Sequence, residues 1–147
     1  MDALWYSRYR RGGGTTSPAD WEFQANASGF DDAPAPAKVG KRIADAVNVD
    51  LPDSSVSTTD NVVHWATGLS WGVAAATLHR LPRVGALTAG VVAGIAAFST
   101  SYVVLPKLGI YKSITEYDAA TLAKDLSAHL VFGAATGLAT LELRSPI

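Results

Sequence analysis

Charged residues are absent from three long stretches in the second half of the chain. Asn61–His79 lacks Asp, Glu, Lys and Arg over 19 residues, Val84–Leu105 over 22, and Leu126–Leu141 over 16. A helix of 22 residues covers the roughly 30 Å of a hydrocarbon core. The middle stretch also has no continuous polar face, which a helix in a soluble bundle would need. The pattern predicts an all-α integral membrane helical bundle with three spans, near residues 61–81, 84–105 and 122–143.

One pattern of an acid, a histidine and two glycines occurs twice, near the start of the first and third stretches. The first copy is Asp60, His64, Gly68 and Gly72, and the second, 65 residues later, is Asp125, His129, Gly133 and Gly137. Residues four apart share one face of a helix, so each copy forms a single stripe. The chain therefore contains an internal repeat. If a further span precedes Met1, the repeat unit is a helix hairpin and the bundle has four spans in two hairpins.

Glycine pairs at spacing four occur in all three apolar stretches. Small residues at this spacing let membrane helices approach closely, because lipid removes the hydrophobic drive that joins helices in water. We therefore expect a tightly packed bundle in which six glycines lie at helix contacts: Gly68, Gly72, Gly90, Gly94, Gly133 and Gly137.

The first 60 residues differ from the remainder, because they hold nine of the 13 acids and six of the 12 bases. We predict a cytoplasmic or interfacial segment of short helices over residues 1–60 and the membrane bundle over 61–147. Ser17 and Pro18 indicate a helix start. Asp31–Ala37, with two prolines, is predicted as an extended spacer. Lys38–Val49 is predicted as an amphipathic helix, which either lies along anionic headgroups or packs on the protein's own loops.

Basic residues set the expected orientation. Nine of the 12 flank one side of the predicted spans and three flank the other, which places residues 1–60 in the cytoplasm and the C-terminus outside the cell (inner) membrane. The first and third spans then run parallel, with both stripes at the same depth, so we expect His64 and His129 to face each other. At the N-terminus, Trp5 and Tyr6 followed by arginines resemble the cytoplasmic end of a transmembrane helix or a surface-lying amphipathic start.

Several N-terminal stretches carry a family resemblance. Met1–Tyr6, Tyr9–Gly14, Asp20–Phe23 and Asp32–Gly40 resemble an uncharacterised family of small multi-pass actinobacterial membrane proteins. In that family an apolar helix usually precedes the Trp-Tyr stretch. The resemblance implies membrane placement and supplies no activity and no site residues.

The paired stripes offer four interpretations of their chemistry. Asp60, His64, Asp125 and His129 could together bind a Zn²⁺, Mn²⁺ or Fe²⁺ ion, or their imidazoles could ligate haem b. They could also relay protons. In the structural interpretation the two carboxylates cap the N-termini of their own helices, and the histidines hydrogen-bond either to these carboxylates or across to the other helix.

Composition narrows the function classes. With no cysteine in the chain, disulfides, zinc knuckles and thiol catalysis are excluded, and a net charge of −1 gives no indication of nucleic-acid binding. No nucleophile–base set or phosphate loop occurs, so we predict no enzyme and expect no cofactor, with a metal ion or haem b as the alternatives. The predicted function is an accessory or scaffolding subunit that binds the bilayer and either itself or a larger membrane complex. The alternative is a small transporter, channel or metal/haem carrier.

Overall fold

The computed structural model describes residues 2–17 and 27–142, and within these ranges the chain forms helices and no strands. The helices are α1 Asp2–Arg11, α2 Ala35–Ala46, α3 Val56–His79, α4 Ala86–Ser99 and α5 Ala119–Glu142. The predicted all-α class is confirmed. The chain divides into two compact bodies, Asp2–Thr67 and the part from Gly68 onward, with the boundary inside α3.

One helix in the described part of the chain is long and apolar enough to cross a membrane. It runs from Ala86 to Lys107, because α4 continues through a π-helical turn, Thr100–Val104, into a last turn, Leu105–Lys107. Pro106 has no N–H, which removes one backbone donor from this segment and accompanies its irregular hydrogen bonding. Helices α3 and α5 do not meet the same criterion, since Asp and His residues interrupt their apolar character. The three-span bundle stays a prediction.

In the first body, α1 is followed by a segment that folds back on it. The Tyr6 hydroxyl donates to the Thr16 carbonyl at 2.9 Å, and the Tyr9 and Thr16 hydroxyls lie 2.6 Å apart. Gly13 allows the reversal with φ at +91°. The helix predicted to follow Ser17 and Pro18 lies outside the described residues.

Helix α2 begins three residues earlier than the sequence indicates. The prediction of an extended Asp31–Ala37 spacer is wrong from Ala35 onward, because Pro36 lies in the first turn of the helix. Proline is tolerated there, since the N–H groups of the first turn have no partner within the helix. The helix ends at Ala46, and Asn48 adopts the left-handed conformation, with φ at 58°, that commonly terminates a helix.

The first body has a small apolar core beside the start of α3. It comprises Phe30, Ala33, Ala37 and Val56. The Phe30 N–H donates to Asp53 Oδ1 at 3.2 Å, which ties the segment before α2 to the turn before α3. This core includes one aromatic ring and few large side chains. Hydrogen bonds from backbone N–H groups to carboxylates, such as the one from Phe30 to Asp53, therefore contribute to holding the first body together.

In the second body, α4 and α5 form an antiparallel hairpin. Residues 108–118 connect the two helices, and Ser113 and Glu116 form a capping box in this connection. Asp118 then caps α5, since its carboxylate accepts from the Thr121 N–H at 2.9 Å and from the Thr121 hydroxyl at 2.6 Å. At the other end of α4, His79 Nδ1 lies 2.9 Å from the Val84 carbonyl oxygen and so donates to it across the α3–α4 turn.

Candidate functional site

The contact between α4 and α5 is a seam of glycine against glycine. A Cβ added to Gly90 would lie 2.7 Å from the Gly137 nitrogen and 2.8 Å from its Cα. One turn along, a Cβ on Gly94 would lie 3.3 Å from Gly133 Cα. The two helices are therefore antiparallel, and each step of four residues toward the C-terminus of α4 meets α5 four residues nearer its N-terminus. At these distances only glycine fits, and the backbones themselves form the contact.

The first glycine pair behaves differently. A Cβ added to Gly68 or Gly72 would meet no heavy atom of the described residues within 4 Å. The glycines of the two repeat copies thus do not pack on each other. The second copy packs on α4 instead, because α4 precedes α5 in the chain and an 11-residue connection brings it back antiparallel. The sequence predicts one role for six glycines, and the structure gives that environment to four.

Helix α4 buries its small residues and exposes its large ones. Its buried residues are all Ala or Gly: Ala86, Ala89, Gly90, Ala93, Gly94 and Ala97. Leu87 is 52% exposed, Val92 46% and Ile95 45%. A helix in a water-soluble core shows the opposite arrangement, with its large apolar side chains inside. Helix α5 follows the same inverted rule, with Gly133 and Gly137 buried and Val131 and Leu138 exposed.

A polar cluster closes the seam at the end nearest the α4–α5 connection. His129 is only 7% exposed, and its Nδ1 lies 2.9 Å from the Asp125 carbonyl oxygen and 3.6 Å from Asp125 Oδ1. Because a carbonyl oxygen only accepts, Nδ1 carries the proton of the neutral ring. Nε2 then holds the lone pair, which is the atom available to a proton or a metal.

Aromatic rings surround this histidine and its carboxylate. The Phe98 ring meets His129 edge-on at 5.8 Å between centroids, and it lies 4.7 Å from Tyr102. Tyr102 is buried, and its hydroxyl lies beside the Asp125 carboxylate. Two tyrosines of the connection complete the group, with Tyr117 5.2 Å and Tyr111 6.0 Å from Tyr102. The result is a Tyr102–Asp125–His129 network with aromatic walls.

The repeat in the sequence points to Asp125 and His129 but not to the residues around them. Tyr102 falls eight residues beyond Gly94 and Phe98 four beyond it, so both continue the stripe that Gly90 and Gly94 begin. Following that spacing to the end of the helix would have predicted the aromatic part of the site. Tyr111 and Tyr117 come from a connection whose path spacing does not predict.

The first copy of the stripe has another environment. The Asp60 carboxylate accepts from the Ala37 N–H at 3.2 Å, so it caps α2 rather than its own helix. The expectation that Asp60 and Asp125 cap their own helices is wrong, because α3 begins at Val56 and α5 at Ala119. His64 lies on α3 in the first body, partly buried. The predicted approach of His64 to His129 stays a prediction.

In the described part of the chain, no three His, Asp or Glu side chains are grouped as metal ligands would be. Comparison with protein-family models, with curated proteins and with solved structures finds no match to this chain. The resemblance to the actinobacterial family therefore stays a prediction, and the site has to be interpreted from its own geometry.

Proposed function

We propose that this chain is a multi-pass protein of the cell (inner) membrane that acts, without catalysis, as an accessory or scaffolding subunit. In this proposal the α4–α5 hairpin is a rigid membrane-embedded element. Helix α3 is a further span, and its Gly68 and Gly72 face serves assembly with the chain itself or with a larger complex. Residues 1–60 lie on the cytoplasmic side.

The single observation that carries the proposal is the inverted burial of α4. Lipid tails solvate Leu, Val and Ile as well as a protein core does, so a membrane helix loses nothing by exposing them. In water the exposed Leu87, Val92 and Ile95 would together form an apolar surface of the kind that drives aggregation. Close backbone contact through glycine, in contrast, is the arrangement that stabilises helix pairs in lipid.

Two experiments test the proposal. Membranes containing the chain should retain it through an alkaline carbonate wash, and reporter fusions should place the C-terminus outside and residues 1–60 in the cytoplasm. Release by the wash would contradict membrane integration. Native gels in mild detergent, with cross-linking, should show species well above the 15.3 kDa monomer. A chain that stays monomeric at all detergent concentrations would contradict the scaffolding role.

A second candidate function is proton or solute passage, and the Tyr102–Asp125–His129 network favours it. Ionisable side chains at membrane depth are costly and are enriched in transport pathways. Here a carboxylate lies between a hydroxyl donor and an imidazole with an available Nε2. These groups are suited to accepting and passing a proton.

This candidate is tested with the protein in liposomes that contain a pH-sensitive dye. Proton passage predicts a flux that His129→Gln reduces at least tenfold, while His79→Gln, which alters a histidine in a turn, leaves it unchanged. Equal flux in all three proteins would exclude this role for the network. A visible spectrum and a metal determination on the same preparation test the haem b and metal-ion alternatives, which predict a Soret band or one metal per chain.

A further inference from the structure

We propose that α2 lies in the membrane interface, with an apolar strip inserted among the headgroups of anionic phospholipids. We call this surface the α2 strip, and it consists of Val39, Ile43 and Val47. The inference rests on the proposed membrane placement and deepens it by assigning a lipid-binding surface to the first body.

One face of α2 is already occupied by contacts within the first body. Ala37 is fully buried, and a Cβ added to Gly40 would lie 3.0 Å from Val63 Cγ2. The Ala37 N–H also donates to Asp60. Small residues of α2 therefore pack against the first turns of α3. The helix is fixed to its own body by this face, and it does not need the α2 strip for that purpose.

Ile43 and Val47 of the α2 strip, in contrast, are uncovered, while Val39 at its start is partly buried. Ile43 is 59% exposed and Val47 is 64% exposed, and Val49 just beyond the helix is 50% exposed. The sequence left two interpretations open for these residues, headgroups or the protein's own loops. Packing on the loops within residues 2–17 and 27–142 would have buried Ile43 and Val47, so the exposed fractions favour the headgroups.

Charge identifies the kind of surface that would cover the strip. Lys38 and Arg42 lie one turn apart beside the strip, and neither forms an ion pair with a carboxylate among the described residues. Lys41, which lies further round the helix, pairs with Asp45 and Asp50. The hydrogen bond to Asp45 is the main reason that the pKa of Lys41 is raised. The two unpaired cations next to an apolar strip match lipid phosphates above acyl chains.

The test uses the absence of native cysteine, which makes every introduced cysteine unique. Full-length Ile43→Cys and Val47→Cys variants are spin-labelled in bilayers with about one-third anionic lipid. Each label should be accessible to oxygen and protected from an aqueous nickel reagent, at a depth of roughly 5–10 Å. Asp45→Cys, on the polar side of the same helix, is the control and should be accessible to nickel.

An Ile95→Cys variant separates this inference from the proposed function. If the label at Ile95 is deep while those at Ile43 and Val47 are as accessible to nickel as the one at Asp45, the interfacial role of α2 is overturned and the membrane placement stands. Nickel access at Ile95 would overturn the membrane placement, and the α2 inference with it.

A charge variant tests the anionic lipid. The double substitution Lys38→Gln and Arg42→Gln should lower the inserted fraction of the Ile43 label about five-fold for each charge removed. In the labelled protein that keeps Lys38 and Arg42, replacing anionic with zwitterionic bilayers should also lower the inserted fraction. Insertion that is independent of both lipid charge and these two residues would overturn the assignment of anionic headgroups.

Discussion

The two copies of the repeat have the same four residue types at the same spacing, yet their neighbours differ. Asp60 caps a different helix, and Gly68 and Gly72 have open space around them. The Asp125 carboxylate lies beside the Tyr102 hydroxyl, and Gly133 and Gly137 touch the α4 backbone. The difference teaches that a stripe defines a helix face that can be packed closely, whereas the order of helices along the chain decides which face is packed.

The largest expected difference between the copies is their response to a single methyl group. Gly133→Ala should destabilise the chain by roughly 1–3 kcal/mol, because its Cβ would lie 3.0 Å from the Gly90 carbonyl carbon. In the monomer, obtained at high detergent concentration, Gly68→Ala should stabilise the chain by about 0.5–1 kcal/mol, since alanine costs less than glycine within a helix. Thermal unfolding in mild detergent measures both. Equal destabilisation would mean that α3 is packed as tightly as α5 and would remove the contrast.

The second largest loss of stability is expected from removing Asp125, the carboxylate of the second copy. Asp125→Ala should cost roughly 1–3 kcal/mol, because it removes the carboxylate that lies beside the buried Tyr102 hydroxyl and His129 imidazole. Tyr102→Phe removes the hydroxyl that lies beside this carboxylate, so the double variant should lose less than the sum of the two single losses. Chemical unfolding of the four proteins gives the coupling. Strict additivity would show that Tyr102 and Asp125 do not interact.

Loss of the Asp60 carboxylate should destabilise the chain less than loss of Asp125, and it should affect a different helix. Asp60→Ala removes the cap of α2 and should cost roughly 0.5–2 kcal/mol. Amide exchange of Ala37 and its neighbours should accelerate, while the exchange of α5 stays unchanged. Asp125→Ala is the matched control and should leave α2 protected. If Asp60→Ala accelerates exchange in α5 as well, the two stripes are coupled, which the predicted shared site requires.

The smallest effect is expected from the residue that does cap α5. The hydrogen bond from the Thr121 side chain is the main reason that the pKa of Asp118 is lowered below its ordinary 3.8. Its contribution to stability is therefore full above about pH 4 and is lost as the pH falls through the lowered value. The protection of amide protons in the first turn of α5, corrected for the intrinsic pH dependence of exchange, should fall below about pH 4. Asp118→Asn keeps an acceptor and should remove this pH dependence, and an unaltered dependence would assign it to another group.

The sequence was sufficient for what depends on periodicity. Helix positions, the glycine pairs and the chemical character of Asp125 and His129 all follow from residues that recur every four positions. Other features depend on distant neighbours. Asp60 caps α2, and Tyr117, which lies in the α4–α5 connection, contacts Tyr102. No local spacing in the sequence specifies either contact. The early start of α2 has a different cause. Proline disfavours the interior of a helix, but Pro36 lies in the first turn of α2, where proline is tolerated.

The glycine seam also raises the question of register. Its contacts recur every four residues and involve no interlocking side chains, so α5 could slide past α4 by one turn and still set Gly90 against Gly133. Such a slip would separate Phe98 from His129 and Tyr102 from Asp125, which contact each other in one alignment only. The aromatic and polar end of the hairpin therefore selects one register of α5 along α4 from several that the glycine contacts alone would make nearly equal in energy, whether or not it also binds a proton.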